Sequence, residues 1–225
     1  MTVRLRRVVV GPMETNCWVL HADGDRRALV VDPGDEPERI RAVVADVDVV
    51  AVVLTHAHWD HVLAAGTIGA PVLAHLDDGP VWPHELATLD RLGHWDAGTA
   101  TAELLAAGHA LRPAGPVWDG HVDGHLADGQ VLAAGPLDVE VLHTPGHTPG
   151  GVSLHVDGHL LTGDTLFPGG PGLTGWPLSD FPTIMGSVRR LAALPAATVV
   201  HPGHGPATTI GAERPHVDEW AARGW

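Results

Sequence analysis

Residues 49–61 read VVAVVLTHAHWDH, an apolar run that ends in three histidines and an aspartate. Val49 to Leu54 is a continuous aliphatic stretch, the pattern of a strand buried on both faces. Extended backbone sends residues i and i+2 to the same side, so His56 and His58 can share one metal ion while Trp59 points elsewhere. The turn that follows brings Asp60 and His61 round together. Neutral imidazole and carboxylate make a good zinc-type donor set. A histidine-rich surface turn would account for an isolated His-x-His, but poorly for four ligand-type side chains directly behind a buried strand. The stretch therefore predicts half of a metal site at a strand end.

Outward from this strand, strands and helices alternate. Upstream, Val3 to Val10, Asn16 to Ala22 and Arg27 to Asp32 read as strands, separated by Gly11-Pro12 and Asp23-Gly24-Asp25. Residues 36–47, EPERIRAVVADV, put Ile40, Val43 and Val44 at helical spacing. Downstream, His61 to Gly69 is expected to be a helix and Pro71 to Ala74 a short strand. Residues 77–129 form a partly helical excursion, with Glu85 to Leu92 and Thr101 to Ala107 as its helices; segments of this length are often functional. Strand signals return at Leu137 to Leu142, Gly151 to Val156 and His159 to Asp164, with Asp157-Gly158 a strong hairpin turn. Asp180 to Leu194 reads as a helix capped by Ser179 or Asp180, Thr198 to Pro202 as a strand, and Glu213 to Arg223 as a last short helix. No linker divides the 225 residues, which read as a single domain. Strands followed by a helix, given twice, suggest an α/β fold of two sheets packed face to face with helices outside.

Composition removes several functions. A net charge of −14 argues against nucleic acid, which rewards basic stripes. No run approaches the roughly 20 apolar residues of a membrane helix, and the N-terminus carries no small-residue cleavage pattern. Cys17 is the only cysteine, which forbids an intramolecular disulfide and suits a reducing compartment, so a cytoplasmic location is expected. All 13 basic residues are arginine and tyrosine is absent, so lysine Schiff-base and tyrosine acid–base chemistry are excluded. Seventeen histidines are far more than one site can use, and spacing must choose among them. Nothing in the pattern speaks to oligomeric state.

Three further ligand-type residues sit where strands end, the place where a rigid scaffold carries function. His147 lies in TPGHTPGG (144–151), Asp164 in GDTLF (163–167) and His204 in PGHGP (202–206). Taken in order, THAHWDH, TPGHTPGG, GDTLF and PGHGP resemble the metallo-β-lactamase-fold hydrolases, and most of all glyoxalase II-type enzymes (hydroxyacylglutathione hydrolases), from about Val3 to Pro206. The resemblance implies a four-layer αββα sandwich and two divalent ions, zinc first, with iron or manganese as alternatives. It implies that His56, His58 and His147 bind the first ion, that Asp60, His61 and His204 bind the second, and that Asp164 bridges them. VVDPG around Asp32 matches a further motif, where a carboxylate orients a ligand imidazole; an ordinary strand-ending turn aspartate fits as well. The implied activity is hydrolysis of a small-molecule thioester, or a related ester or lactone, by a hydroxide held at the dinuclear centre, with Asp60 handling the proton.

The chain departs from glyoxalase II at its end. About 20 residues follow His204, where that family carries a helical domain that contributes tyrosine and lysine to the glutathione site. The substrate pocket is instead expected to draw on the excursion and on residues 167–181. Trp82, Trp95, Trp118 and Trp176 are candidate cleft linings, and Arg91 and Arg112 candidate anion contacts, although packing or a solvated surface is the plainer reading of any one of them. His84, His94, His109, His121 and His125 show no ligand spacing; His143 and His201 lie beside the motifs, not at ligand positions. Two alternatives share the fold: a one-iron persulfide dioxygenase and a β-lactam hydrolase. The complete second ligand set favours the dinuclear hydrolase over the first, and an aspartate at position 164 favours thioester over β-lactam chemistry.

Overall fold

The computed structural model describes residues 2–92 and 117–224. Among these, β1 (Val3–Val10), β2 (Thr15–Ala22), β3 (Arg27–Val31), β4 (Asp48–Val53), β5 (Val72–His75) and β6 (Gly124–Leu126) form one sheet in that order. The first three strands pair antiparallel, and the pairs from β3 to β6 are parallel. The second sheet contains β7 (Val131–Ala134), β8 (Leu137–His143), β9 (Val152–Val156), β10 (His159–Gly163), β13 (Val199–Pro202) and β14 (Thr208–Thr209), in the order β14-β13-β10-β9-β8-β7. A small ribbon of β11 (Leu166–Phe167) and β12 (Gly170–Pro171) follows β10. The helices are α1 (Pro37–Val43), α2 (Trp59–Val62), α3 (Val81–Leu92), α4 (Phe181–Ala192), α5 (Ile210–Glu213) and α6 (Val217–Arg223).

Side-chain alternation sorts these elements into layers. Along β2, Trp18, Leu20 and Ala22 join Val139, Val141, Leu154 and Val156 of the second sheet in the core between the sheets. The alternate residues Cys17 and Val19 face the other way and pack with Ile40, Val62 and Leu63 of the first helical layer. Leu160 and Val200 of the second sheet pack on Met185, Val188, Leu191 and Trp220 of the opposite layer. Three apolar interfaces separate four layers, the αββα sandwich expected from the sequence. No helix among the described residues is long and apolar enough to cross a membrane.

Cys17 is fully buried in the first helical interface. Burial, and after it the nearby Asp32 carboxylate, push its thiol well above the ordinary range. The folded protein is therefore expected to react with no thiol reagent at neutral pH and to yield one thiol only when denatured; a thiol count under both conditions checks this.

Several expected elements differ: α1 ends at Val43, four residues before the end of the expected 36–47 segment, and α3 begins at Val81, four residues before the expected Glu85. The helix of residues 61–69 is a four-residue helix followed by a separate 3-10 turn at Ala65–Thr67, because Ala64 N–H turns aside to the Pro33 carbonyl at 3.0 Å. The last helix is interrupted by a 3-10 turn at Arg214–His216, where Pro215 offers no N–H to continue the ladder. The excursion contains β6, which extends the first sheet beside β5, so part of it belongs to the sheet. Its expected helix at 101–107 lies outside the described residues. Asp180 is the cap of α4, its Oδ2 accepting Thr183 N–H at 2.8 Å.

Candidate metal centre

At the end of β4 the backbone leaves the sheet ladder, and its amides need other acceptors. Three carboxylates from three elements supply them in register. Thr55 N–H donates to Asp32 Oδ1 (2.7 Å), Ala57 N–H to Asp78 Oδ2 (2.9 Å) and Trp59 N–H to Glu85 Oε2 (3.1 Å). Alternate amides are thus held from behind while the histidines between them are presented forward. Asp32 adopts a left-handed backbone (φ 52°), unusual outside glycine, which turns its carboxylate under this strand end.

Each remaining motif arrives from the second sheet. His147 lies in the loop between β8 and β9, Asp164 directly follows β10 and His204 follows β13. The His204 loop is fastened to β2 by a bridge between Thr15 and His204 and by Asn16 N–H donating to the Gly203 carbonyl at 2.7 Å. Gly203 has to be glycine: a Cβ there would lie 2.1 Å from Asp164 Oδ1 and 2.7 Å from the His61 ring.

All seven expected ligand residues come together. His56, His58 and His147 form one group and Asp60, His61 and His204 another, each with its ligand atoms within 4.8 Å of one another. Asp164 lies between them, Oδ1 3.5 Å from His61 Nε2, and Oδ2 3.6 Å from His147 Nε2 and 3.5 Å from His204 Nε2. Asp32, His56 and His61 also cluster. The Asp32 oxygens, however, already accept Thr55 N–H, the Thr55 hydroxyl (2.6 Å) and His61 Nδ1 (3.0 Å), which makes it an orienting group.

The donor set fits metal ions. Four imidazoles have Nδ1 tied to an acceptor, so that Nε2 is the inward nitrogen and offers a lone pair once the ring is neutral. His61 donates to Asp32, His147 to the Leu173 carbonyl (2.7 Å) and His204 to the Met13 carbonyl (2.9 Å). The Thr55 hydroxyl donates to Asp32 and so accepts from His56 Nδ1 at 3.1 Å. His56 Nε2 and Asp164 Oδ1 are buried with no hydrogen-bond partner among the described residues. His58 Nδ1 lies 3.0 Å from His147 Nε2, and His61 Nε2 lies 3.2 Å from His204 Nε2. Two nitrogens on one tetrahedral ion at about 2.0–2.1 Å would stand roughly 3.3 Å apart.

The charged groups of the centre act on one another. Burial pushes His56 well below the usual imidazole range and His58 down to about 3, with His147 adding to the latter. Burial also opposes ionisation of Asp60 and Asp164, yet His61 and His204 hold both well below the carboxylate range. Conversely, Asp60 and Asp164 outweigh burial at His61, raised to about 9, and at His204, raised to about 11. Stabilisation from those two protonated rings is full below the unfolded value near 6.5 and lost as pH rises through about 9 to 11. A metal ion replaces these protons, so its apparent affinity is expected to rise roughly tenfold or more per pH unit between pH 6 and 8. Chelator-competition titrations at those two pH values check it.

The centre opens into a cleft of about 550 Å³ whose wall is largely apolar. Trp176 stands edge-on to His58 and His147, with ring centroids 5.7 and 5.3 Å away. Trp82 and Trp118 follow the plainer reading: they are 5% and 4% exposed and pack on each other in the core, not in the cleft. His84, which shows no ligand spacing in the sequence, lines the cleft, as do Trp59 and Glu85. His121 and His125 are exposed. His143 donates to the Pro149 carbonyl and His201 contacts His159, both structural. The side chain of Arg91, and Trp95, Arg112, His94 and His109, lie outside the described residues.

The family model of the metallo-beta-lactamase superfamily matches residues 10–204, and the chain belongs to that superfamily. It is 33% identical over 219 residues to the probable metallo-hydrolase YqgX of Bacillus subtilis, covering 94% of this chain and 95% of the relative. It is 31% identical over 218 residues to the hydroxyacylglutathione hydrolase GloC of Haemophilus influenzae, covering 92% and 93%. Among solved structures, the B3 metallo-beta-lactamase BLEG-1 aligns with a TM-score of 0.71 at 30% identity over 95% of this chain and 97% of that one. TTHA1623 in a di-iron-bound form aligns with a TM-score of 0.69 at 33% identity over 92% and 96%. Membership, together with the two His/Asp groups, supports a metal-dependent hydrolase with a binuclear centre.

Proposed function

We propose that this protein hydrolyses small-molecule thioesters at a centre of two divalent ions, zinc first and iron or manganese as alternatives. The observation that carries the reading is Asp164, set between two three-residue ligand groups at the mouth of a small-molecule-sized cleft. His56, His58 and His147 would hold one ion, Asp60, His61 and His204 the other, with Asp164 shared. Bound there, the ions supply Lewis acidity and an ionised water at neutral pH. Asp60, which accepts the Thr15 hydroxyl at 2.9 Å, would orient the attacking water and handle its proton besides serving as a ligand. A departing thiolate is stable near its ordinary pKa of about 8.5, so the cleft needs no strong general acid. Trp176 and Trp59 supply apolar wall for the substrate. Thioester specificity draws support from the likeness to GloC, 93% of which this chain covers, so an appended helical domain is not a requirement of the reading.

β-Lactam hydrolysis is the second reading, favoured by the likeness to BLEG-1. A panel of thioesters, lactones and β-lactams, offered to zinc- and iron-loaded protein, separates the two. Thioesters are expected to give the highest kcat/KM. A β-lactam in first place would overturn the thioester reading, as would one iron per chain with oxygen uptake on a persulfide.

A further inference from the structure

We propose that Glu85 recognises an ammonium group on the thiol side of the substrate, so that the cleft selects thioesters of amine-bearing thiols over those of carboxylate-bearing ones. The inference rests on the thioester reading and deepens it.

Glu85 lies one helical turn after Val81 on α3, and Val81, His84 and Glu85 all face the cleft. Its position is fixed from behind: Oε2 accepts Trp59 N–H, which anchors the carboxylate beside the residue that precedes Asp60. No described residue donates to Oε1, leaving that oxygen for whatever enters. Burial pushes the Glu85 carboxyl up to about 7, and Asp60 adds to the rise against the Trp59 amide. A half-buried acid with no counter-charge among the described residues is the environment in which an arriving cation forms a strong charge-assisted bond. The rest of the wall agrees. Among the described residues lining the cleft there is no arginine, and the chain contains no lysine to meet a substrate carboxylate. The chain as a whole carries a net charge of −14. Met13, Phe167, Leu173 and Leu178 complete a wall that suits an uncharged chain between thioester and ammonium.

The test uses zinc-loaded full-length protein and three thiols of similar length. They are cationic 2-(dimethylamino)ethanethiol, neutral N-acetylcysteamine and anionic 3-mercaptopropionate. Binding of each is measured by calorimetry to the wild type, Glu85→Gln and Glu85→Lys, independently of turnover. The wild type is expected to prefer the cation. Glu85→Gln, which keeps an acceptor for Trp59 N–H, should lose about tenfold of the cation-to-anion ratio, and Glu85→Lys should reverse it. Comparing ratios between proteins cancels the differing acidities of the thiols. Ratios equal within about twofold in wild type and Glu85→Gln, at equal metal content, would overturn the inference, and Glu85→Gln decides alone if Glu85→Lys fails to fold. The S-acyl esters of the same thiols form a separate arm. If the wild type hydrolyses none of them, the thioester reading fails while the binding ratios still decide Glu85. If it hydrolyses them with no dependence on residue 85, the inference fails and the thioester reading stands.

Discussion

An Asp164→Asn protein is expected to bind at most one metal ion per chain and to lose at least about a thousandfold in kcat/KM on its best substrate. Among the described residues Asp164 stands within 3.6 Å of ligand nitrogens from both groups, reaching His147 on one side and His61 and His204 on the other. Asparagine keeps the shape but replaces an anionic oxygen with an NH2, a donor that cannot ligate an ion and would compete for the histidine lone pairs. It also removes a charge that, with Asp60, holds His61 and His204 above their ordinary range. Metal analysis of the purified variant alongside steady-state kinetics reads both effects. Two ions bound with wild-type turnover would show that Asp164 is not shared, and the proposed centre would have to be redrawn around the two three-residue groups alone.

What was legible in the sequence follows the range of each signal. His56, His58, Asp60 and His61 could be read together because their geometry is local: strand alternation, then a tight turn. His147, Asp164 and His204 carry no such geometry between them, and became visible only through the order of four motifs. The layers were legible where apolar alternation is clean, and the expected β1 at Val3 to Val10 coincides with the strand found. β6 escaped because Gly124-His125-Leu126 is too short to show a period and is a strand only through pairing with Leu73 to His75. Trp82 and Trp118 could not be sorted from Trp176, since composition does not say which face of an element meets the core. Asp78 and Glu85 were missed for a related reason. A carboxylate that accepts a backbone amide 21 or 26 residues away leaves no mark in local sequence. The signal that could have found them is their necessity: amides 55, 57 and 59 leave a ladder at a buried strand end, and three acceptors must come from somewhere.

Asp78 should be as important to the first ion as the ligands are. It is 3% exposed, and its two oxygens take three donors: Ala57 N–H at 2.9 Å, the Thr148 hydroxyl at 3.0 Å and Gly150 N–H at 2.6 Å. One carboxylate thereby ties the stretch carrying His56 and His58 to the loop carrying His147. The approach is so close that a Cβ on residue 150 would lie 2.6 Å from Asp78 N and 2.8 Å from its carboxyl carbon, which requires glycine there. Asp78→Asn retains one acceptor oxygen but turns an NH2 toward backbone N–H groups that are already donors. At least one buried amide is left unpaired, at about 1–3 kcal/mol of stability. Because the lost bond spans the two loops, affinity for the ion held by His56, His58 and His147 is expected to fall about 10- to 100-fold. The ion at Asp60, His61 and His204 should be held nearly as before, since none of its ligands touches Asp78. Stepwise chelator competition on the zinc-loaded variant resolves the two ions, and thermal denaturation of the metal-free protein reads the stability loss by itself. If stability drops while both ions bind as in the wild type, Asp78 is only part of the packing. Selective weakening of one ion means that the carboxylate sets the distance between the two halves of its site.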